Sequence, residues 1–309
     1  MLNNLLTVTG QVATLFLMMA VGFGLGKMKK LSSAGLSQMS FLLLYIVCPC
    51  VMIECFQVER TPELVQQLCV GAVIAVACYL VYLAISMFFF RRCPADTRDS
   101  LRFAMVYGNV GFMGVPLVQS ILGSEALVYG ALSLAAFNVT TWTLGVVIMG
   151  GKQAFSVKKA IINPGVIGLA VSLVIFFGGF RFPDAVSSTI SFLGDLNTPL
   201  AMIVIGAQLA AADLGGAFRQ PVLYLASFLK LILVPGLTAL VLLPFGLPAG
   251  LYCALVLLAA TPVAGTTSIF AQQFGRDTVP GVQVITLSTL LSIITLPVFA
   301  VIAKTISGF

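Results

Sequence analysis

Ten apolar stretches, each long enough to cross a lipid bilayer, constrain the fold of this chain more than any other feature of its sequence. A helix rises about 1.5 Å per residue, so about 20 residues span a hydrocarbon core of about 30 Å. The predicted segments are 5–26, 34–56, 64–90, 100–122, 127–149, 161–180, 186–212, 220–244, 249–273 and 280–303. The sequence therefore predicts an all-α integral membrane protein with ten transmembrane helices.

The composition excludes a soluble protein. Of the 309 residues, 60% are hydrophobic and only 8% are charged, whereas soluble domains carry about 25% charged residues. The net charge of +6 resides in short loops, which indicates membrane topology and not a nucleic-acid partner. The seven cysteines match no zinc or disulfide framework and histidine is absent, so we expect no metal and no cofactor.

The distribution of Lys and Arg predicts the orientation of the chain. With ten spans, twelve of these residues fall in loops on one side, three fall on the other, and Lys230 lies inside the eighth segment. The side that is rich in Lys and Arg is cytoplasmic in such proteins. We therefore expect the N- and C-termini on the extracytoplasmic side of the membrane.

The two halves of the sequence resemble each other. Pro49 and Pro199 lie within the second and seventh segments, and Pro116 and Pro262 lie within the fourth and ninth. Since five spans is an odd number, the second half would enter the membrane with inverted orientation, as in many secondary transporters. Pro and Gly are also common in membrane helices without any repeat. The predicted repeats are residues 1–150 and 151–309.

Helix-breaking residues crowd the fourth segment, which reads Gly108-Asn109-Val110-Gly111-Phe112-Met113-Gly114-Val115-Pro116. Gly costs about 1 kcal/mol and Pro about 3 kcal/mol in a helix interior. Unwound backbone at membrane depth is tolerated only where protein or water satisfies it. This segment is therefore predicted to line a cavity, where the N–H groups of the restarted helix and the Asn109 amide can hold an anion.

The ninth segment carries a second break, Thr261-Pro262-Val263-Ala264-Gly265-Thr266, and it runs antiparallel to the fourth. Two facing breaks would form a small polar pocket near the midplane. A pair of kinks without any ligand is the alternative. The predicted substrate-binding residues are Asn109, Gly111, Gly114, Pro116, Thr261, Pro262, Ala264, Gly265 and Thr266.

Three further polar residues lie within apolar segments and are candidates for coupling or gating. They are Asp195 in the seventh segment, Lys230 in the eighth and Asn138 in the fifth. Ionisable residues at membrane depth are expensive and usually functional. Hydrogen bonding between helices for Asp195 and Asn138, and snorkelling or a structural ion pair for Lys230, are the alternatives.

Several motifs, taken in order, carry a resemblance to a known family. Besides the two broken stretches, they are Asn163-Pro164, Leu193-Gly194-Asp195, Pro199-Leu200-Ala201-Met202, Ile205-Gly206-Ala207-Gln208-Leu209, Phe270-Ala271-Gln272-Gln273-Phe274-Gly275 and Thr286-Leu287-Ser288-Thr289-Leu290 with Leu296-Pro297. Over essentially the whole chain, they resemble the auxin efflux carrier family, whose bacterial members carry malonate and related anions. The chain resembles the compact prokaryotic form, since it lacks a long central loop.

The resemblance implies a fold shared with bile-acid symporters and sodium–proton antiporters, in which helices four and nine cross at their breaks. Helices 1, 2, 6 and 7 would form a scaffold, and helices 3, 4, 5, 8, 9 and 10 a transport domain. It further implies a bacterial inner-membrane protein, a homodimer as in related carriers, and contact between Asn109 and the substrate carboxylate.

Together, these features predict a secondary active transporter that moves a small organic anion, such as a dicarboxylate, by alternating access, with H⁺ or Na⁺ as coupling ion. An antiporter of Na⁺ or H⁺ alone and a membrane sensor on the same fold are the alternatives. An enzyme is not expected, because the chain has neither histidine nor paired acids at depth.

Overall fold

The fold is built almost entirely from helices. A computed structural model describes residues 2–156, 158 and 164–308, and these residues contain no β-strand. In the first half, the helices are α1 (Leu2–Lys27), α2 (Ser33–Leu42), α3 (Cys48–Cys55), α4 (Pro62–Ser86), α5 (Ala95–Val106), α6 (Val115–Leu122), α7 (Leu127–Thr140) and α8 (Val146–Gly150). In the second half, they are α9 (Pro164–Gly178), α10 (Asp184–Asp195), α11 (Asn197–Ala211), α12 (Leu214–Arg219), α13 (Pro221–Phe228), α14 (Val234–Leu242), α15 (Ala249–Ala259), α16 (Thr266–Gln273) and α17 (Val279–Ser307).

Seven helical stretches in the described part of the chain are long and apolar enough to cross a membrane. They are Thr9–Lys27, Ser33–Cys55, Pro62–Ser86, Ser124–Gly150, Asp184–Ala211, Pro221–Phe245 and Val279–Ser307. Shorter apolar helices, Val110–Leu122, Val166–Gly178 and Ala249–Ala259, fall within the predicted fourth, sixth and ninth segments. Residues 161–163 of the sixth segment, with the Asn163 of its motif, lie outside the described residues. The chain is an all-helical, multi-pass membrane protein.

Helix irregularities coincide with proline in three of the predicted segments. Pro49 and Pro235 each follow a π-helical turn, Leu43–Val47 and Leu229–Leu233, and stand in the first turn of the next helix. Pro116 likewise opens α6. Proline is favoured there because the first N–H groups of a helix have no intrahelical acceptor. The prolines therefore restart helices after local irregularities.

Small residues bring α1 and α11 into close contact. A Cβ atom added to Gly206 would collide with the backbone carbonyl of Met19, and one added to Gly22 would collide with that of Ile203. Small residues allow such close backbone approach between membrane helices. These two helices therefore form a tightly packed pair, and α9 and α10 pack in turn against α3.

The interruption in the fourth segment lies between α5 and α6, and that in the ninth lies between α15 and α16. Helices α7 and α17 flank both of them: α7 packs on α6 and α15, and α17 packs on α5, α15 and α16. Some of the largest fully buried side chains of the protein lie beside these interruptions, among them Tyr107, Phe103 and Met113. The fold thus encloses two stretches of non-helical backbone in a packed interior.

Candidate functional site at the crossing of two broken helices

The first break follows Val106, where α5 ends. Tyr107 is extended, and Asn109 has φ −76° and ψ 64°, outside the helical region. The Asn109 side-chain oxygen accepts a hydrogen bond from the N–H of Phe112 at 3.3 Å, and its carbonyl accepts one from the N–H of Gly114 at 2.9 Å. Asn109 therefore caps the π turn Val110–Gly114 that leads into α6, as expected for asparagine at a helix start.

The second break follows Ala259, where α15 ends. Pro262 has no N–H group and cannot continue the helix. The Thr261 hydroxyl donates to the carbonyl of Leu258 at 2.7 Å, and the N–H of Val263 donates to the hydroxyl of Ser288 on α17 at 3.1 Å. Backbone groups that the break releases are thus satisfied by protein partners, as membrane depth requires.

The two breaks touch through their backbones. The N–H of Asn109 donates to the carbonyl of Pro262 at 2.7 Å, and the N–H of Ala264 donates to the carbonyl of Tyr107 at 3.0 Å. Gly108 and Val263 thereby form an isolated antiparallel β-bridge. We call the two stretches Tyr107–Asn109 and Pro262–Ala264 the crossing. The structure brings together the two stretches that the sequence predicts to be broken.

Four of the predicted substrate-binding residues are partly exposed, and we call them together the accessible face. They are Asn109, Gly111, Gly265 and Thr266. A Cβ added to Gly265 would meet no atom within 4 Å, so there is open space beside this residue. Among the described residues, the side-chain nitrogen of Asn109 has no hydrogen-bond partner, because only its oxygen is used for capping. Asn109 therefore keeps an unused amide donor, and Gly265 has open space beside it.

The remaining predicted substrate-binding residues are buried and shape the backbone of the site. Gly114, Pro116, Thr261, Pro262 and Ala264 have little or no accessible surface. Pro116 opens α6, and Pro262 and Ala264 supply the backbone groups that bond to the first break. Of the nine predicted residues, four therefore lie on the accessible face and five support it from within.

The three coupling candidates occupy different places. The Lys230 side chain is buried, and its ammonium donates to the carbonyl of Ala259 at 3.0 Å, directly behind the crossing. Asp195 is exposed at the end of α10 and forms no ion pair with Lys230. Asn138 donates to the carbonyl of Leu134 within α7 at 2.9 Å. Only Lys230 reaches the crossing directly.

Two hydroxyl groups next to the crossing have no partner among the described residues. They belong to Thr266 and Thr267 at the start of α16, and Thr267 is completely buried. The π turn that leads into α6 begins next to Asn109, and α16 begins just after Gly265, so the positive ends of two helix dipoles lie beside the crossing. The accessible face therefore combines hydrogen-bond donors with positive potential, the combination that binds anions.

The sequence analysis did not single out Ser288 as a site residue, although it bonds directly to the second break. Its position in the motif Thr286–Leu290 is the signal that could have indicated it. An aromatic cluster also escaped prediction. In it, Tyr107 stacks on Tyr79, contacts Phe103 and Phe137, and donates its hydroxyl to the carbonyl of Thr140 at 2.8 Å. These contacts anchor one side of the crossing, and nothing in the spacing of the aromatic residues reveals them.

A charged cluster at the far ends of the broken helices was also missed. Arg276 lies 2.8 Å from an Asp96 oxygen and 3.5 Å from an Asp99 oxygen, and it donates to the carbonyl of Met149 at 3.1 Å. Together with Arg98 and Arg102, Asp99 and Arg276 line a cavity of about 270 Å³. Hydrogen bonds from Arg276 and from the N–H of Asp277 lower the pKa of Asp96 below its ordinary value of 3.8. The cluster ties the start of α5 to the end of α16.

The described residues contain no group of three or more His, Cys, Asp or Glu side chains that could hold a metal ion. The helical architecture, the apolar spans and the two breaks joined at depth define a class of protein, the polytopic membrane transporters. The chain belongs to the family described as "Membrane transport protein", whose model matches residues 7–158 and 153–300. This is the auxin efflux carrier family that the sequence motifs resemble.

Curated relatives agree with this membership. A protein of Rhizobium meliloti (strain 1021), named "Putative malonate transporter", is 25% identical over 305 residues, which cover 93% of each chain. A transporter of Methanothermobacter thermautotrophicus is 27% identical over 206 residues, covering 65% of this chain and 67% of the relative. The transporter YfdV of Escherichia coli (strain K12) is 26% identical over 252 residues, covering 77% and 78%.

Proposed function

We propose that this protein is a secondary active transporter that carries a small organic anion, a dicarboxylate such as malonate, across the membrane by alternating access. The observation that carries the proposal is the pair of backbone hydrogen bonds between Asn109 and Pro262 and between Ala264 and Tyr107. Broken helices that meet at depth are the sites where transporters of this architecture hold substrate.

The chemistry of the accessible face supports an anionic cargo. Asn109 has a free amide donor, and Thr266 carries an unpartnered hydroxyl whose oxygen is itself buried. The N-terminal ends of α6 and α16 add positive potential at the same place. A carboxylate accepts hydrogen bonds and bears negative charge, so it matches this set of groups. A second carboxylate on the cargo is suggested by the malonate named for the Rhizobium meliloti relative.

Mirrored helix contacts support the proposal that residues 1–150 and 151–309 are inverted repeats and that ten helices cross the membrane. The α1 helix packs on α11 in the seventh segment, while α9 in the sixth packs on α3 in the second. Likewise α4 packs on α7, while α13 packs on α17. Each contact has the counterpart that exchange of the two halves would generate. In this proposal, the first, second, sixth and seventh of the ten membrane segments form the scaffold, and the other six segments move.

The proposal places the protein in a bacterial inner membrane, with the N- and C-termini on the extracytoplasmic side, because most Lys and Arg residues fall in loops on the other side. It also includes a homodimer, as in related carriers. Cysteine accessibility at introduced loop sites tests the orientation, and the mass of the purified protein in detergent tests the oligomeric state.

The experiment that tests the function has a binding arm and a transport arm. Purified protein is heated with mono- and dicarboxylates, since a ligand at 100 times its Kd stabilises the native state by about 2.7 kcal/mol. Any anion that stabilises the protein is then followed into proteoliposomes under a pH gradient or a sodium gradient. We expect stabilisation by a small dicarboxylate and its transport under at least one gradient.

Two variants connect the result to the crossing. Asn109→Ala should abolish stabilisation and transport, because it removes the free amide donor. Gln119→Ala removes an amide near the end of α6, away from the crossing, and should leave both unchanged. If Asn109→Ala transports the anion as fast as the wild-type protein, the proposed site is excluded. Cation fluxes without any organic cargo would instead favour the ion-only antiporter, and a wild-type protein that moves nothing would favour a sensor.

A further inference from the structure

Lys230 is a buried lysine directly behind the crossing. It lies in the π turn Leu229–Leu233, and only 1% of its surface is accessible. Its ammonium group donates to the carbonyl of Ala259 at 3.0 Å. A Cβ atom added to Gly108 would lie 2.8 Å from the same nitrogen. The amino group of Lys230 therefore lies beside both broken stretches.

Among the described residues, no carboxylate lines the cavity beside this ammonium group. A cavity of about 30 Å³, room for about one water molecule, adjoins it. The ionisable groups that line this cavity are Cys78, Tyr79 and Tyr82 on α4, and its other polar side chains are Ser133 on α7 and Thr238 on α14. The ion pairs Arg98–Asp99, Arg276–Asp96 and Arg276–Asp99 do not include Lys230. Lys230 is thus a buried lysine with no acidic side chain among the described residues that line its cavity.

The backbone around Lys230 explains why a cation is favourable there. Helix α5 ends at Val106 and α15 ends at Ala259, so the negative ends of two helix dipoles point at the crossing. In transporters with broken helices, carbonyl groups at such helix ends coordinate the coupling cation. Here, the ammonium of Lys230 bonds to the last carbonyl of α15.

We propose that Lys230 is a built-in cation that takes the electrostatic place of a coupling sodium ion and balances the charge of the bound anion. The inference rests on the proposed function and extends it to ion dependence and specificity. Two consequences follow. Anion binding does not require sodium, and a dianion gains more from Lys230 than a monoanion of the same shape, because the attraction scales with the charge of the cargo.

The test measures the affinity of the full-length protein for malonate, a dianion, and for monomethyl malonate, a monoanion of similar shape. Wild-type affinities are expected to agree within about twofold in sodium chloride and in N-methylglucamine chloride at equal ionic strength. Lys230→Gln should weaken malonate binding by about tenfold or more and ester binding by less. Lys230→Arg keeps the charge and should keep the ratio of the two affinities.

Thr238→Val is the matched control, since Thr238 lines the same cavity without carrying charge. If Lys230 had only a structural role, Lys230→Gln would lower the affinities for both ligands equally. An unchanged ratio of the two affinities in Lys230→Gln would therefore overturn the inference. A wild-type requirement for sodium would also overturn it, even if Lys230→Gln failed to fold. If Asn109→Ala binds neither ligand and Lys230→Gln affects both equally, the proposed function stands and the inference on Lys230 fails. If the wild-type protein binds no anion, both the proposed function and the inference on Lys230 fail.

Discussion

The backbone N–H of Asn109 donates to the carbonyl of Pro262 at 2.7 Å, which joins the two halves of the chain at the point where each has lost its helix. Unwound backbone at membrane depth is tolerated only where protein or water satisfies it, and here each break supplies a hydrogen-bond partner to the other. The hydrogen bond therefore explains how two costly breaks coexist in one apolar protein.

Adding a methyl group at Gly265 should impair binding without harming the fold. A Cβ there would meet no protein atom within 4 Å, and the residue has helical dihedral angles that alanine adopts readily. The methyl group would instead occupy space that we assign to the cargo, and we expect Gly265→Ala to weaken anion affinity by about tenfold. Titration calorimetry measures the affinity and thermal unfolding the stability. Gly236→Ala, which is equally unobstructed on α14, is the control.

Replacing Thr267 with valine should stabilise the protein. The Thr267 hydroxyl is completely buried and has no hydrogen-bond partner among the described residues. A buried polar group without a partner costs about 1–3 kcal/mol, whereas valine has nearly the same shape and no hydroxyl. We expect Thr267→Val to raise the free energy of unfolding by about 1 kcal/mol, measured by denaturant unfolding in detergent. Destabilisation would mean that the hydroxyl is bound, by water or by cargo.

Two neighbouring glycines of α1 should respond differently to the same substitution. A Cβ at Gly22 would collide with the backbone of Ile203 on α11, while one at Gly24 would meet nothing within 4 Å. Backbone cannot move aside as a flexible side chain can, so Gly22→Ala should separate the two helices and lower the yield of folded protein. Size-exclusion chromatography of detergent extracts compares the variants. Gly24→Ala should behave as wild type or better, since alanine favours helix by about 1 kcal/mol over glycine.

The charged cluster predicts a defined pH dependence. Hydrogen bonds in the folded state hold the pKa of Asp96 below its ordinary value of 3.8. The pairing of Asp96 with Arg276 therefore stabilises the protein fully at pH values well above 3.8. The contribution is lost as pH falls through the lowered pKa, because protonation then favours the unfolded state. The melting temperature of wild type should therefore exceed that of Asp96→Asn by a constant amount between pH 5 and pH 8 (roughly one unit or more above the ordinary pKa). The difference should shrink in stronger acid.

Arg276→Gln should lower the melting temperature more than Asp96→Asn, because Arg276 also contacts Asp99 and the carbonyl of Met149. Its loss leaves the largely buried Asp99 with Arg98 alone. Arg92→Gln removes the same charge from an exposed position and is the control. A difference between wild type and Asp96→Asn that grows in acid would contradict this account.

The sequence by itself determined the membrane class, the family and the two positions where helices break. Long apolar segments are stable in lipid and not in water. Clusters of Gly and Pro interrupt helices, because both residues are unfavourable in a helix interior. That is why Gly108–Pro116 and Thr261–Thr266 could be recognised as special from local composition alone. Such properties depend on residues that are neighbours in the chain.

Tertiary structure alone decided which face of each break is open, which groups satisfy it and where Lys230 points. Ser288, Tyr79 and Arg276 reach the broken helices from distant parts of the sequence, and no local periodicity encodes such contacts. The burial of Pro116, Thr261 and Pro262 likewise depends on how neighbouring helices pack around them. Long-range packing sets these features, because a side chain's partners across helices are fixed only when the helices come together.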